Sequence, residues 1–157
     1  MTGVQTCALP ISPEQLSLKD LTLKMTMLIA LLSGQRCQTI HALDTTTMVL
    51  SADKCAFYIY ELLKTSRPGK QYGCLELRAY ADDKQLCVVH LLQEYVQRTL
   101  KFRGNNAQLL LSYHKPHNPV STATIGRWLK EVLKRAGVDI QKFSAHSTRS
   151  SSQLQRH

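Results

Sequence analysis

Long apolar runs are missing from these 157 residues. The longest, Met25 to Leu32, is interrupted by Thr26 and followed by Ser33-Gly34. It falls short of the roughly 20 apolar residues a membrane-spanning helix needs, so it predicts a core helix and no membrane partner. Paired cysteines are missing as well: Cys7, Cys37, Cys55, Cys74 and Cys87 stand singly, with no C-x-x-C. That scatter argues against a disulfide framework and against a cysteine-held zinc, and favours a reducing compartment. His41, His90, His114 and His117 lack metal-ligand partners at fixed spacing, so no metal site is expected and they read as surface or core residues. There is no internal repeat and no low-complexity tract.

Acidic residues are scarce at one end. Residues 101–157 hold ten Lys and Arg against Glu131 and Asp139, whereas the first hundred hold ten bases against nine acids, and the whole chain carries a net charge of +9. One end is therefore expected to meet a polyanion; the alternative is a solvated basic face kept for solubility. A hydrophobic content of 43% is enough for the core of one domain.

Both termini read as foreign to that domain. Residues 1–11 lack the basic start and apolar stretch of a secretory signal, and Thr2 to Ile11 back-translates into a string that resembles a sequencing-library adapter. They are expected to be non-native. Residues 153–157, Gln-Leu-Gln-Arg-His, turn abruptly polar after Ser150 to Ser152 and are expected to be an aberrant tail. The folded domain is thus placed at residues 12–152.

Within it, Leu18, Leu21, Met25, Leu28, Ile29 and Leu32 recur at helical spacing and Gly34 stands where a C-terminal cap belongs. A second helix is expected from about Gln35, with Cys37, Ile40 and Leu43 on one face and Arg36 in its first turn, near free amides that favour an anion. The alternative for Arg36 is a pairing with a carboxylate at the core edge. Residues 56–63 and 74–80 read as strands, and Lys64-Thr-Ser-Arg-Pro-Gly-Lys70 between them supplies a turn with a basic tip. Such a tip sets a cation beside a phosphate or, alternatively, guards a sheet edge against aggregation. Val88, Leu91, Leu92, Tyr95, Val96 and Thr99 make another helix ending before Gly104. In the clearest helix Ser121 is the N-cap, Ile125, Trp128, Leu129, Val132, Leu133 and Ala136 form the buried stripe, and Gly137 closes it. Its remaining surface is crowded by Arg127, Lys130, Lys134 and Arg135.

A last helix is expected from Ser144. His146 and Arg149 lie three residues apart on one face of it and so reach one ligand. Two guanidiniums, from Arg36 and Arg149, offer planar forks of donors suited to the non-bridging oxygens of a phosphodiester.

The order of these parts resembles the catalytic domain of the tyrosine recombinases, the phage integrase family. An Arg follows Ser-Gly-Gln in a helix pair, a Lys lies in a β-hairpin, and H-x-x-R comes in a late helix. The strings Leu63-Lys-Thr-Ser-Arg-Pro-Gly69, Thr124-Ile-Gly-Arg-Trp-Leu129 and Phe143-Ser-Ala-His-Ser-Thr-Arg149 are most similar to recombinases of DIRS-type and crypton mobile elements. The resemblance implies a mainly α fold with a small antiparallel β-sheet (α+β), and a partner in double-stranded DNA. It also implies tetramers on paired sites and, for a mobile element, the nucleus. The reaction it implies is transesterification through a 3′-phosphotyrosyl link, with no cofactor, metal or nucleotide. Carried over, the catalytic residues are Arg36, His146, Arg149 and Lys64, with Lys70 as the alternative hairpin lysine. The two arginines would stabilise charge on the phosphoryl oxygens, the lysine would protonate the leaving 5′-oxygen, and His146 would donate to the phosphate or handle the nucleophile's proton. Arg67, Lys70, Arg127, Lys130, Lys134 and Arg135 are the expected DNA contacts.

All six tyrosines, Tyr58, Tyr60, Tyr72, Tyr80, Tyr95 and Tyr113, precede His146, whereas the family's nucleophile follows the H-x-x-R helix. The expectation is a partial catalytic domain, incomplete at its C-terminus and inactive alone. A non-catalytic DNA-binding protein derived from such a recombinase is the alternative.

Overall fold

The computed structural model describes residues 12–59 and 73–137. Helix α1 spans Leu18–Ser33. The Ser17 hydroxyl accepts from the Asp20 amide at 3.1 Å, satisfying one of the free donors at the helix start. The helix stops at Gly34, whose φ of 66° is left-handed and whose N–H reaches the Ala30 carbonyl, a conformation that costs a side-chain-bearing residue energy. Helix α1 is buried on more faces than an amphipathic stripe requires: Leu23, Met27, Thr22 and Thr26 are inside along with Leu21, Met25 and Ile29. It packs against three later helices and a strand at once. The threonines tolerate this because Thr22 and Thr26 return their hydroxyl protons to the carbonyls of Leu18 and Thr22, so neither hydroxyl is buried unpaired.

Helix α2 is short, Cys37–His41, with Arg36 as its N-cap residue. Cys37, Ile40 and the following Leu43 are buried together, as their spacing predicts. Strands β1 (Met48–Leu50), β2 (Lys54–Tyr58) and β3 (Cys74–Arg78) form an antiparallel sheet in that order. The register sets Met48, Phe57 and Leu75 side by side, and likewise Leu50, Cys55 and Leu77. Phe57, Cys55, Leu75 and Leu77 from these two rows are buried. The β2–β3 hairpin was expected, though β2 begins at Lys54 rather than Ala56, because the inward pair is Cys55 and Phe57. Strand β1 was not expected, since three residues acquire strand character only by pairing with β2.

Helix α3 runs Val88–Arg103 and helix α4 Thr122–Arg135. Ser121 caps α4, its hydroxyl accepting from the Thr124 amide at 3.2 Å. Ile125, Trp128 and Leu129 are buried, and the Trp128 ring stacks on Tyr113 with centroids 5.5 Å apart. The described residues are thus mainly helical with one small antiparallel sheet, and none of their helices is long and apolar enough to cross a membrane.

Candidate nucleic-acid interface

Arg36 lies where α1 has ended at Gly34 and α2 begins. Its backbone is extended, with φ −74° and ψ 160°, and its carbonyl accepts from the amides of Thr39 and Ile40. The residue is anchored by its main chain while its side chain is exposed. Among the described residues no carboxylate pairs with the guanidinium. Pairing with a core-edge acid, the alternative for this arginine, is thus not seen among them. Helix α2 has five residues, too few for an appreciable macrodipole.

Lys64, Arg67, Lys70, His146 and Arg149 lie outside the described residues, as do the expected last helix, residues 1–11 and the tail. Of the expected site, then, the structure places Arg36 and the four cations of α4.

Helix α2 packs against α4. On α4, Arg127, Lys130, Lys134 and Arg135 are all exposed, yet they are not equivalent. Arg127 is pre-oriented by a 2.8 Å hydrogen bond from Nη2 to the Thr124 hydroxyl. Arg135 is engaged by two acids, Glu131 at 2.7 Å and Asp20 of α1 at 3.2 Å. Lys19 approaches the same Glu131 at 3.7 Å and lies over the Tyr113 ring. These exposed pairs add little stability, but they leave Arg127, Lys130 and Lys134 as the charge available to a polyanion.

The sequence count of basic residues overstates this end in one further way. Arg103 is 6% exposed and reaches no solvent-borne ligand. Its neighbour along the helix, Arg98, also works internally: Nη2 donates to the carbonyls of Pro13 and Glu14, Nη1 to Leu16, and Nε to Glu94 at 2.6 Å. It ties the segment before α1 across α3. His90 meets Glu14 at 2.8 Å on the same strap, and the Glu14 carboxyl is held below its ordinary pKa by its own backbone amide and by Ser12, with His90 adding to the effect.

Beside α4 the chain from Ser112 to Pro119 folds back on itself. The Ser112 amide donates to the Asn118 carbonyl at 2.8 Å. His117 adopts a left-handed φ of 63°, stacks on Phe102 with centroids 3.8 Å apart, and sets Nδ1 2.8 Å from the Ser112 carbonyl. Because a carbonyl only accepts, that nitrogen carries the proton. An open cleft of about 650 Å³ separates this loop from α4, lined by Tyr113, His114, Lys115, Thr124, Arg127 and Trp128 among others. Lys115 and Arg127 are exposed there, and Glu131 also lines the cleft. Lys115 was not among the expected contacts; the loop around it has local turn residues, but its place beside α4 depends on tertiary packing. No cluster of His, Cys, Asp or Glu suited to a metal occurs among the described residues.

No family model and no curated protein matches the sequence. Solved structures do match the fold. XerH site-specific recombinase bound to its difH substrate, before cleavage, superposes with a TM-score of 0.66 at 16% identity over 99% of this chain and 40% of the XerH chain. The post-cleavage complex of XerH on palindromic difH gives 0.64 at 16% identity, covering 96% of this chain and 37% of the other. XerA recombinase gives 0.53 at 18% identity, covering 86% and 47%. The chain therefore spans less than half the length of these proteins and shares their fold.

Proposed function

We propose that this chain is part of the catalytic domain of a tyrosine recombinase of the DIRS-type or crypton kind, binding double-stranded DNA that the full protein breaks and rejoins through a phosphotyrosyl link. The observation that carries the reading is Arg36: a backbone-anchored, exposed guanidinium without a described acid partner, at the start of a helix packed on the basic helix α4. A shared fold with XerH, whose structures hold its difH substrate, supports it.

On this reading Arg36 donates to a non-bridging oxygen of the scissile phosphate, where charge grows during the reaction, and a donor so placed is worth roughly 10²- to 10³-fold in rate. Arg149 and His146 supply the matching contacts and Lys64, or Lys70, protonates the leaving oxygen. Arg127, Lys130 and Lys134 hold the flanking backbone, which positions the duplex without reading its sequence. The attacking tyrosine is not one of the described four. Tyr95 is buried and bonded to Leu111, Tyr113 is stacked on Trp128, and Tyr58 and Tyr80 belong to the sheet and its margin. In its host the assembly is a tetramer acting on nuclear DNA.

Fluorescence anisotropy on a labelled duplex across a salt series tests this. Affinity should fall linearly in log–log form with a slope of about 0.9 per phosphate contacted, and Arg36→Ala should lower that slope by about one contact. Binding indifferent to salt overturns the reading of the whole surface. A variant with the wild-type slope overturns the role of Arg36.

A further inference from the structure

Arg103 is a buried cation with no carboxylate partner among the described residues. Nη1 donates to the Gln108 carbonyl at 2.6 Å, and Nη2 to the Thr99 hydroxyl at 2.7 Å and the Leu109 carbonyl at 3.1 Å, while Nε finds no acceptor. Burying a guanidinium against neutral acceptors is costly, and a well-packed apolar side chain of similar volume is often at least as stable. Stability alone therefore gives little reason for an arginine here. Its distinguishing property is a rigid fork that spans two successive carbonyls and a hydroxyl at once.

The stretch it grips, 107–111, is a strap shared by three elements. On one side the Ala107 carbonyl accepts from the Thr45 amide at 2.7 Å and its hydroxyl at 3.0 Å, and the Leu109 amide donates to the Leu43 carbonyl at 2.9 Å. Leu43 to Thr45 is the chain leaving α2. On the other side the Gln108 side chain donates to the Val120 carbonyl at 2.9 Å and the Val120 amide to the Leu110 carbonyl at 3.3 Å. Val120 immediately precedes the cap of α4. The end of the strap is pinned by Tyr95, whose hydroxyl meets both the amide and the carbonyl of Leu111.

We propose that Arg103 is a positioning residue that fixes the 107–111 strap and, through it, holds α2 with its Arg36 in register with the basic face of α4. The inference rests on the phosphate-binding reading of those two surfaces. It goes beyond that reading in assigning their mutual alignment to a side chain that touches no DNA.

Two measurements on Arg103→Met, Arg103→Lys and the core control Met25→Ala test it, at a temperature where circular dichroism shows each folded. In amide hydrogen exchange, Arg103→Met should speed Thr45, Leu109 and Val120 by about tenfold or more while Ile29 in α1 keeps its rate. In duplex binding it should weaken affinity about tenfold and lower the salt slope by about 0.9 or more. Lysine should restore part of both, and Met25→Ala should keep the wild-type slope. Wild-type exchange at all three amides overturns the proposal, and so does faster exchange with an unchanged slope. If Arg103→Met does not fold, Thr99→Val, which removes one acceptor of the fork, takes its place under the same criteria. A wild-type chain without salt-dependent DNA binding refutes the phosphate reading instead, and the exchange data then decide the strap on their own.

Discussion

Tyr95→Phe isolates the hydroxyl that pins the strap. The residue is fully buried in α3, its oxygen accepts from the Leu111 amide at 2.9 Å and donates to the Leu111 carbonyl at 3.3 Å, and Leu111 is itself 1% exposed. Phenylalanine keeps the ring and its packing, so the change is close to a pure deletion of these two bonds. The amide is left buried without a partner, which costs about 1–3 kcal/mol; the carbonyl loses a long bond that contributes less. The expected loss is about 2 kcal/mol, or a Tm lowered by roughly 4–8 °C for a chain of this size. Urea denaturation should show a lower midpoint with an unchanged slope, and Tyr80→Phe, at an exposed ring, should change neither. A loss under about 0.5 kcal/mol, no greater than an ordinary surface substitution, would refute the claim that the strap depends on this hydroxyl.

Burial pushes the Cys55 thiol from its ordinary 9.0 up to about 12. Because the folded state holds this proton more tightly than the unfolded chain, stability is unaffected below pH 9 and falls as pH rises toward 12, by up to about 4 kcal/mol. Denaturant melts of Cys55→Ala should lose less stability than wild type across that window, and parallel curves would count against a buried thiol as the cause. On α4, Lys130→Ala and Lys134→Ala should each reduce the salt slope of DNA binding by about 0.9, whereas Arg135→Ala, whose charge Asp20 and Glu131 already engage, should reduce it by less than half as much. Equal effects from all three would show that the ion pairs open on binding.

The three long helices were legible because their signals are local. Apolar residues at three and four, Gly34 after α1 and Ser121 before α4 encode period and boundary within a few residues. The β2–β3 hairpin was legible for the same reason, though its first strand begins two residues earlier than expected and ends at Tyr58, since which alternate side chains face inward is decided by the helices beneath. Strand β1 was not legible: its pairing with β2 is what makes it a strand.

A count of charges carries less than the periodicities do. Arg98, Arg103, Arg127 and Arg135 are equal in a count of basic residues, but folding gives them different work. Arg98 clamps a strap, Arg103 is buried in the core, Arg135 is engaged by carboxylates from two helices, and Arg127 faces the cleft. The acceptors that make the difference are up to 115 residues away in sequence, beyond the reach of any periodicity. By itself the order of residues determined where the three long helices begin and end, and set Arg36 behind a helix stop. Only the packing of those helices decided which cations remain free to meet an anion, because a guanidinium's availability depends on the acceptors brought to it through space.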